Sequence, residues 1–403
     1  MRLLLSSVAA AALIGGCAAQ EAQDANASED AATQVSAEGS ETPQHVVETT
    51  SPDFWGSWGI DASSMDQDVA PGDNFFMYVS GDWFDKFELP ADKTRYGAFD
   101  LLREKSEQQT RFIIEDLAAE EPPVDTPEGK VAAFYNAFMD TDAIEAAGLA
   151  PAQPYLDQIA AIEDRETLVD VFMSPGFSSP INGFVWVDDK NPDDYIFQLS
   201  MGGLGLPDRE YYLKDDEKSV EIRAEYESLL TFLLEQAGYA DAEQKAADVL
   251  ALETELAAAD WDRAVSRNPE VTYNKVTRDE LLALAGDFPL AAALEKLGVS
   301  GEQEFLVTEV PPTAEEIASA GLSQEDVDKL GAGIPAAFEL ANTADLDTWK
   351  AYLAAHLISN YASVLPSEID DANFAFYGTT LSGQPEQRPR WKRAVSAVGG
   401  TLG

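Results

Sequence analysis

Apolar residues spaced three and four apart recur along most of this chain, and that spacing commits it to a mainly helical fold. Val131, Phe134, Tyr135 and Phe138 fall at i, i+3, i+4 and i+7, one face of a helix. Phe99, Leu102, Phe112, Ile113 and Leu117 fit one long helix over 97–120. The same period predicts helices over 165–173, 220–237, 242–263, 278–285, 289–297, 313–319, 323–330, 346–363 and 390–398. Pro71-Gly72-Asp73 reads as a turn, with Asp73 capping a helical run over 74–80 that Gly81 closes. One region departs from the pattern. Residues 181–187 and 195–199 are β-prone, and the turn-rich stretch 188–194 between them predicts a β-hairpin. The fold class is therefore mainly α, a multi-helix domain with a small β-hairpin element.

The first residues form a targeting signal. Arg2 supplies a positive charge, and Leu3 begins an apolar run of twelve residues, too short to span a bilayer. The run ends in Ile14-Gly15-Gly16-Cys17, which resembles a bacterial lipobox, so 1–17 is expected to be a lipoprotein signal peptide with Cys17 the lipidated residue. Cys17 is the only cysteine, which rules out an intrachain disulfide. Ala18 follows it where inner-membrane lipoproteins carry aspartate. By that resemblance the protein is a lipid-anchored resident of the bacterial cell envelope, at the outer membrane, facing the periplasm or the exterior. Residues 18–52 hold no Lys or Arg and no apolar period, and read as a disordered acidic tether that includes His45. Folded sequence is expected over 53–403.

The chain carries 73 acidic against 26 basic side chains, a formal net charge of -47. A field of that sign repels nucleic acid and anionic headgroups, so nucleic acid is excluded as a partner. Acidic side chains that solvate the surface account for this balance, and no D-x-D-x-D-G calcium loop accompanies them.

Candidate chemistry gathers near Arg95 and Arg103. A guanidinium presents a planar fork of donors matched to a carboxylate. Eight residues of helix advance about 12 Å, within reach of two long side chains converging on one anion. Phe99 offers an apolar wall between them, and Asp100 stands three residues before Arg103, where it can fix that guanidinium. The same residues also fit an ordinary surface ion-pair set worth about 0–1 kcal/mol. Hydrolytic metal chemistry finds no such foothold. A mononuclear zinc site needs two imidazoles one helical turn apart, and the chain has only His45 and His356. His356 lies between Leu353 and Leu357 on a helical pattern and reads as a packed histidine. No G-x-S-x-G elbow occurs, and the glycine-rich run from Gly202 to Leu206 lacks the G-K-[ST] of a phosphate loop.

Several blocks, in shared order, carry a resemblance. They are the stretch from Gly59 to Arg103, Lys130-Val131-Ala132-Ala133-Phe134-Tyr135, and Gly202-Gly203-Leu204-Gly205-Leu206-Pro207-Asp208-Arg209-Glu210-Tyr211-Tyr212-Leu213. Trp261-Asp262-Arg263, Tyr273-Asn274, Asn373-Phe374-Ala375-Phe376-Tyr377-Gly378 and Arg388-Pro389-Arg390-Trp391-Lys392-Arg393 follow. Together they resemble the N-terminal region of M13 zinc metallopeptidases, the neprilysin-like family. The resemblance implies that 53–403 is the helical region covering a zinc cleft, with short peptides as substrates. It also implies that Arg95 and Arg103 bind a substrate carboxylate, with Phe99 and Asp100 beside them. Zinc belongs to the intact family, whose H-E-x-x-H helix, with the E-x-x-x-D segment that comes after it, is absent here, so no metal is expected on this chain and none of its residues is assigned a catalytic role. The C-terminal catalytic domain is expected on a separate stretch or chain. The alternatives are a catalytically inactive peptide-binding lipoprotein and a non-functional truncation.

Overall fold

Side chains that accept the free N–H groups of a first turn decide where many of the helices begin. The computed structural model describes residues 62–402. The expected signal 1–17 with Cys17, the tether 18–52 with His45, and residues 53–61 lie outside the described residues. The chain forms two compact units, one up to Phe87 and one from Glu88 onward.

In the first unit a short 3-10 turn, Ala62–Ser64, precedes helix α1, Phe75–Lys86. The cap is Asn74, whose Oδ1 accepts from the Met77 amide at 3.1 Å, one residue later than the expected Asp73. Gly81 does not close the helix. It lies buried against Asp66, where a Cβ would come within 2.7 Å of the Asp66 Cβ. The glycine serves close approach, and the helix continues through it.

In the second unit, α2 (Ala98–Ala119) packs with α3 (Pro127–Met139) and the last helix described, Arg390–Leu402. Thr126 caps α3 by accepting from the Gly129 amide at 3.0 Å, and Pro127 takes the first helical position, where its missing N–H costs nothing. Ile114, Tyr135, Phe138, Ala394, Val395 and Val398 make a small core between the three. Ile114 is the only buried residue of α2. Phe99, Leu102, Phe112 and Ile113, whose spacing marks the helix, are exposed. The last helix also outruns its expected end at 398, passing through Gly399 and Gly400 to Leu402.

The main core surrounds a helix buried on nearly every side, α7 (Leu346–Asn360), with Trp349, Tyr352, Leu353, Leu357 and Ile358 all enclosed. Such a helix belongs at the centre of a layered fold. Against it pack α4 (Glu217–Gln236) and α5 (Ala242–Ala259), and α6 (Gly333–Thr343) lies against α5. The expected helix over 242–263 ends at Ala259, where Asp260 turns to extended backbone.

The hairpin forms as expected, with longer strands. β1 (Ile181–Asp188) pairs antiparallel with β2 (Asn191–Met201), with an irregularity between Val187 and Asp188. Two short strands not expected from the sequence complete a four-stranded sheet. β3 (Asn274–Thr277) runs antiparallel to β4 (Glu304–Val307), and β4 lies parallel to β2, giving the order β1-β2-β4-β3. Pro192 is tolerated because β4 pairs with β2 only at 197–199.

Candidate functional site

The expected carboxylate-binding residues sit at the start of α2. Gly97 is the N-cap, so Arg95 and Tyr96 lie on the turn before the helix. Arg103 reaches back to Asp100 at 3.7 Å, the expected i, i+3 contact, with its side chain 59% exposed. Arg95 is exposed and, among the described residues, makes no ion pair or hydrogen bond. Phe99 is 84% exposed. The structure thus brings Asp100 to Arg103 and leaves Arg95 and Phe99 open to solvent. Behind them, Tyr96 donates to Glu104 at 2.8 Å, while Lys93 and Lys392 stand 3.2 and 3.7 Å from the same carboxylate. Burial raises the Glu104 carboxyl, but the hydrogen bonds from Tyr96 and Lys93 outweigh it and hold the group below its ordinary value. This anchored carboxylate fixes the turn that carries Arg95. The cavities described below are lined by other residues.

A second constellation was invisible in the motif reading. Glu253 of α5 is 0% exposed, and four donors or ring nitrogens converge on it. One oxygen accepts from the Tyr212 hydroxyl and, at 3.2 Å, from the Gly205 amide. The other accepts from the Tyr226 hydroxyl at 3.0 Å and stands 2.8 Å from His356 Nε2. Tyr352 donates to the Gly203 carbonyl at 2.8 Å and Tyr377 to the Gly205 carbonyl at 3.1 Å. The glycine-rich run is therefore a backbone segment held by a polar hub, not a phosphate cradle. Burial, reinforced by the charge of Glu253, keeps Tyr212 and Tyr226 well above the ordinary phenol value and pushes Tyr377 up to about 12. All three stay neutral donors. His356 is the packed histidine the sequence suggested. A cavity of about 270 Å³ opens beside it, lined in part by Ser359, Asn360, Asn373 and Tyr377. Tyr377 belongs to a π-helical segment, Ala375–Thr380. Ser359 donates to Asn373 at 2.7 Å and has no base beside it among the hydrogen bonds it makes. The hub ties the glycine-rich run to the helices that carry Tyr212, Tyr226, Glu253 and His356.

A third feature lies along residues 201–210. A cleft of about 390 Å³ has Arg209, Asp260, Trp261, Arg263 and Glu309 among its walls. The Trp261 amide donates to both the Asp260 carboxylate, at 2.8 Å, and Glu309, at 3.0 Å. Burial, then the adjacent charge of Asp260, pushes Glu309 up to about 8. Burial also raises Asp260. Sequence spacing offered one signal for these groups. Glu253 falls in register with Val249, Leu256 and Ala257 on the apolar face of α5, where a solvated glutamate does not belong.

Among the described residues no cluster of three or more His, Cys, Asp or Glu side chains can hold a metal ion.

Comparison with known proteins agrees with the architecture. Human endothelin-converting enzyme 1 is 26% identical over 356 residues, covering 85% of this chain and 43% of that protein. Endothelin-converting enzyme-like 1 of Mus musculus is 28% identical over 237 residues, 55% of this chain and 30% of that protein. The crystal structure of the zinc metalloprotease Zmp1 of Mycobacterium tuberculosis with an inhibitor superimposes with a TM-score of 0.74 at 28% identity. It covers 85% of this chain and 50% of that one. PepO of Lactobacillus rhamnosis, at 17% identity and a TM-score of 0.61, shares the fold. The chain spans less than half the length of the curated relatives it matches. The model of peptidase family M13 matches residues 71–403, with its N-terminal portion, nearly the whole of the described structure. A helical shell, a short mixed sheet and a family match along both place the chain in peptidase family M13.

Proposed function

We propose that this chain is the N-terminal part of an M13-type zinc metalloendopeptidase acting on short peptides, with the zinc site supplied by another stretch of sequence. One observation carries the reading: the chain aligns over 85% of its length with a zinc metalloprotease yet over only 50% of that enzyme, and its described residues offer no zinc donor set. The exposed apolar side chains of α2 suit a surface that a further domain covers. Zinc held by that other stretch would supply the Lewis acidity for peptide hydrolysis. The residues of this chain bind and orient. Arg95 and Arg103 grip the terminal carboxylate of the peptide, Asp100 holds the Arg103 guanidinium in place, and Phe99 lines the neighbouring apolar position.

Isothermal titration with short peptides tests this directly. Peptides with a free C-terminal carboxylate are expected to bind, and their C-terminal amides about tenfold more weakly, since a charge-assisted hydrogen bond is worth about 1.5–3 kcal/mol. Arg95→Ala and Arg103→Ala should each erase most of that preference. Equal affinity for acid and amide in the unaltered protein would sink the assignment. The purified chain alone is expected to show no chelator-sensitive peptide hydrolysis. The absence of H-E-x-x-H from the sequence favours a second reading, an inactive peptide-binding lipoprotein. Downstream coding sequence containing H-E-x-x-H and E-x-x-x-D supports the peptidase, and its absence supports the binding module.

The lipobox-like Ile14-Gly15-Gly16-Cys17 supports attachment to the membrane through Cys17. Cys17→Ala is expected to move the protein from the membrane fraction to the soluble one on cell fractionation. An unchanged distribution would refute the anchor.

A further inference from the structure

We propose that Asp260 and Glu309 share one proton that latches the wall of the cleft along residues 201–210, and that loss of this proton releases the wall. The geometry makes the proton necessary. Both carboxyl groups accept from the single Trp261 amide, and each also lies within hydrogen-bond reach of the other. Glu309 is 7% exposed, so a second negative charge there has little water to stabilise it.

One cation faces the pair: Arg209 lowers both carboxyls, but burial outweighs it at each. From the 201–210 stretch, Arg209 directs Nη1 to the Asp260 and Lys329 carbonyls at 2.6 and 3.0 Å, and its Nε finds no hydrogen-bond partner. Asp208 and Glu210, on the same stretch, add negative charge. Arg263 turns to Asp208 at 3.8 Å and to the Pro207 carbonyl at 3.4 Å. Lys329 pairs with Glu325 at 2.9 Å. At Glu309, burial and the charge of Asp260 prevail over Arg209.

The latch fastens three segments. Glu309 accepts the Ile334 amide on its carbonyl at 2.8 Å, Trp261 Nε1 donates to the Gly331 carbonyl at 2.9 Å, and the Asp262 amide donates to the Lys329 carbonyl at 3.1 Å. With the proton gone, the two carboxylates repel across the Trp261 amide, and the Glu309 segment separates from the end of α5 together with 329–334. Relative to an unfolded chain, where the glutamate ionises near its ordinary 4.5, the pair favours the folded state at acid pH. That contribution is lost as pH rises from 4.5 to about 8.

Hydrogen exchange on the intact chain tests the latch, with rates corrected for intrinsic base catalysis. Peptides containing Trp261 and Ile334 are expected to lose protection by up to about tenfold per pH unit as pH rises from 4.5 to about 8, the limit for one proton, and to level off above that. Peptides from α7 should hold theirs, which separates local opening from global unfolding. Glu309→Gln keeps an acceptor for Trp261 and adds a neutral donor for Asp260, so its protection should be flat with pH. Asp260→Asn removes the same repulsion and serves if Glu309→Gln does not fold. Flat protection in the unaltered protein, or the same slope in the variants, would overturn the proposal.

Discussion

Glu253→Ala is expected to be among the most damaging single substitutions in this chain, costing about 4 kcal/mol of stability. Breaking a buried polar network by removing its acceptor costs on the order of 3–5 kcal/mol, because the donors left behind stay desolvated. Here the Tyr212 and Tyr226 hydroxyls, the Gly205 amide and the His356 ring would all lose their shared partner. Those groups come from three further helical segments and one loop, so the loss would spread beyond α5. Glu253→Gln should recover part of the loss, since its amide keeps one acceptor oxygen but turns a donor toward groups that also donate. Urea unfolding of the three proteins measures the ranking. A loss below about 1 kcal/mol for the alanine variant, the net worth of one ordinary hydrogen bond, would show that the hub is not a stabilising unit.

Gly333→Ala is expected to cost about 3 kcal/mol or more. Gly333 opens α6 at φ +64°, a left-handed conformation that side chains rarely adopt, and a Cβ there would stand 2.0 Å from the Glu309 carbonyl oxygen. Strain of about 1–3 kcal/mol from the backbone adds to a comparable penalty for overpacking against main chain that cannot swing aside. Thermal unfolding reports the loss. A variant with an unchanged melting temperature would mean the junction between β4 and α6 is far more compliant than its geometry implies.

Most helices were legible because their apolar period is long and their caps are explicit. Thr277 with Glu280 and Thr313 with Glu316 form reciprocal capping pairs that a reader of sequence can find. The hairpin was legible for a similar reason, two β-prone runs around a turn-rich stretch. β3 and β4 were not. Four residues such as Glu304-Phe305-Leu306-Val307 carry no decisive period, and they become strands only because β2 is there to receive them. Gly81 looked like a stop signal because glycine usually is one. Its neighbour Asp66, fifteen positions earlier, is what requires it, and no local pattern announces that.

Phe99, Leu102, Phe112 and Ile113 fit the helical period of α2, and the structure leaves them at the surface. Period alone reports that a face is apolar, not whether this chain covers it. The candidate site divides along the same line. Arg95, Phe99, Asp100 and Arg103 were found by type and spacing, and the Asp100–Arg103 contact follows from helix geometry. Glu253, Asp260 and Glu309 were missed because, among 73 acidic side chains, a buried one has no compositional mark.

The parallel pairing of β2 with β4 bears on how the molecule comes to be folded. The Thr308 amide meets the Leu199 carbonyl at 3.1 Å across 109 positions of sequence. A ribosome delivers β1 and β2 long before their third strand, so the nascent hairpin must wait with one edge unfilled. Closing so long a loop carries an entropic cost before any contact rewards it, which favours slow acquisition of the sheet. The helices of α4 and α5, joined by a short connection, have no such delay.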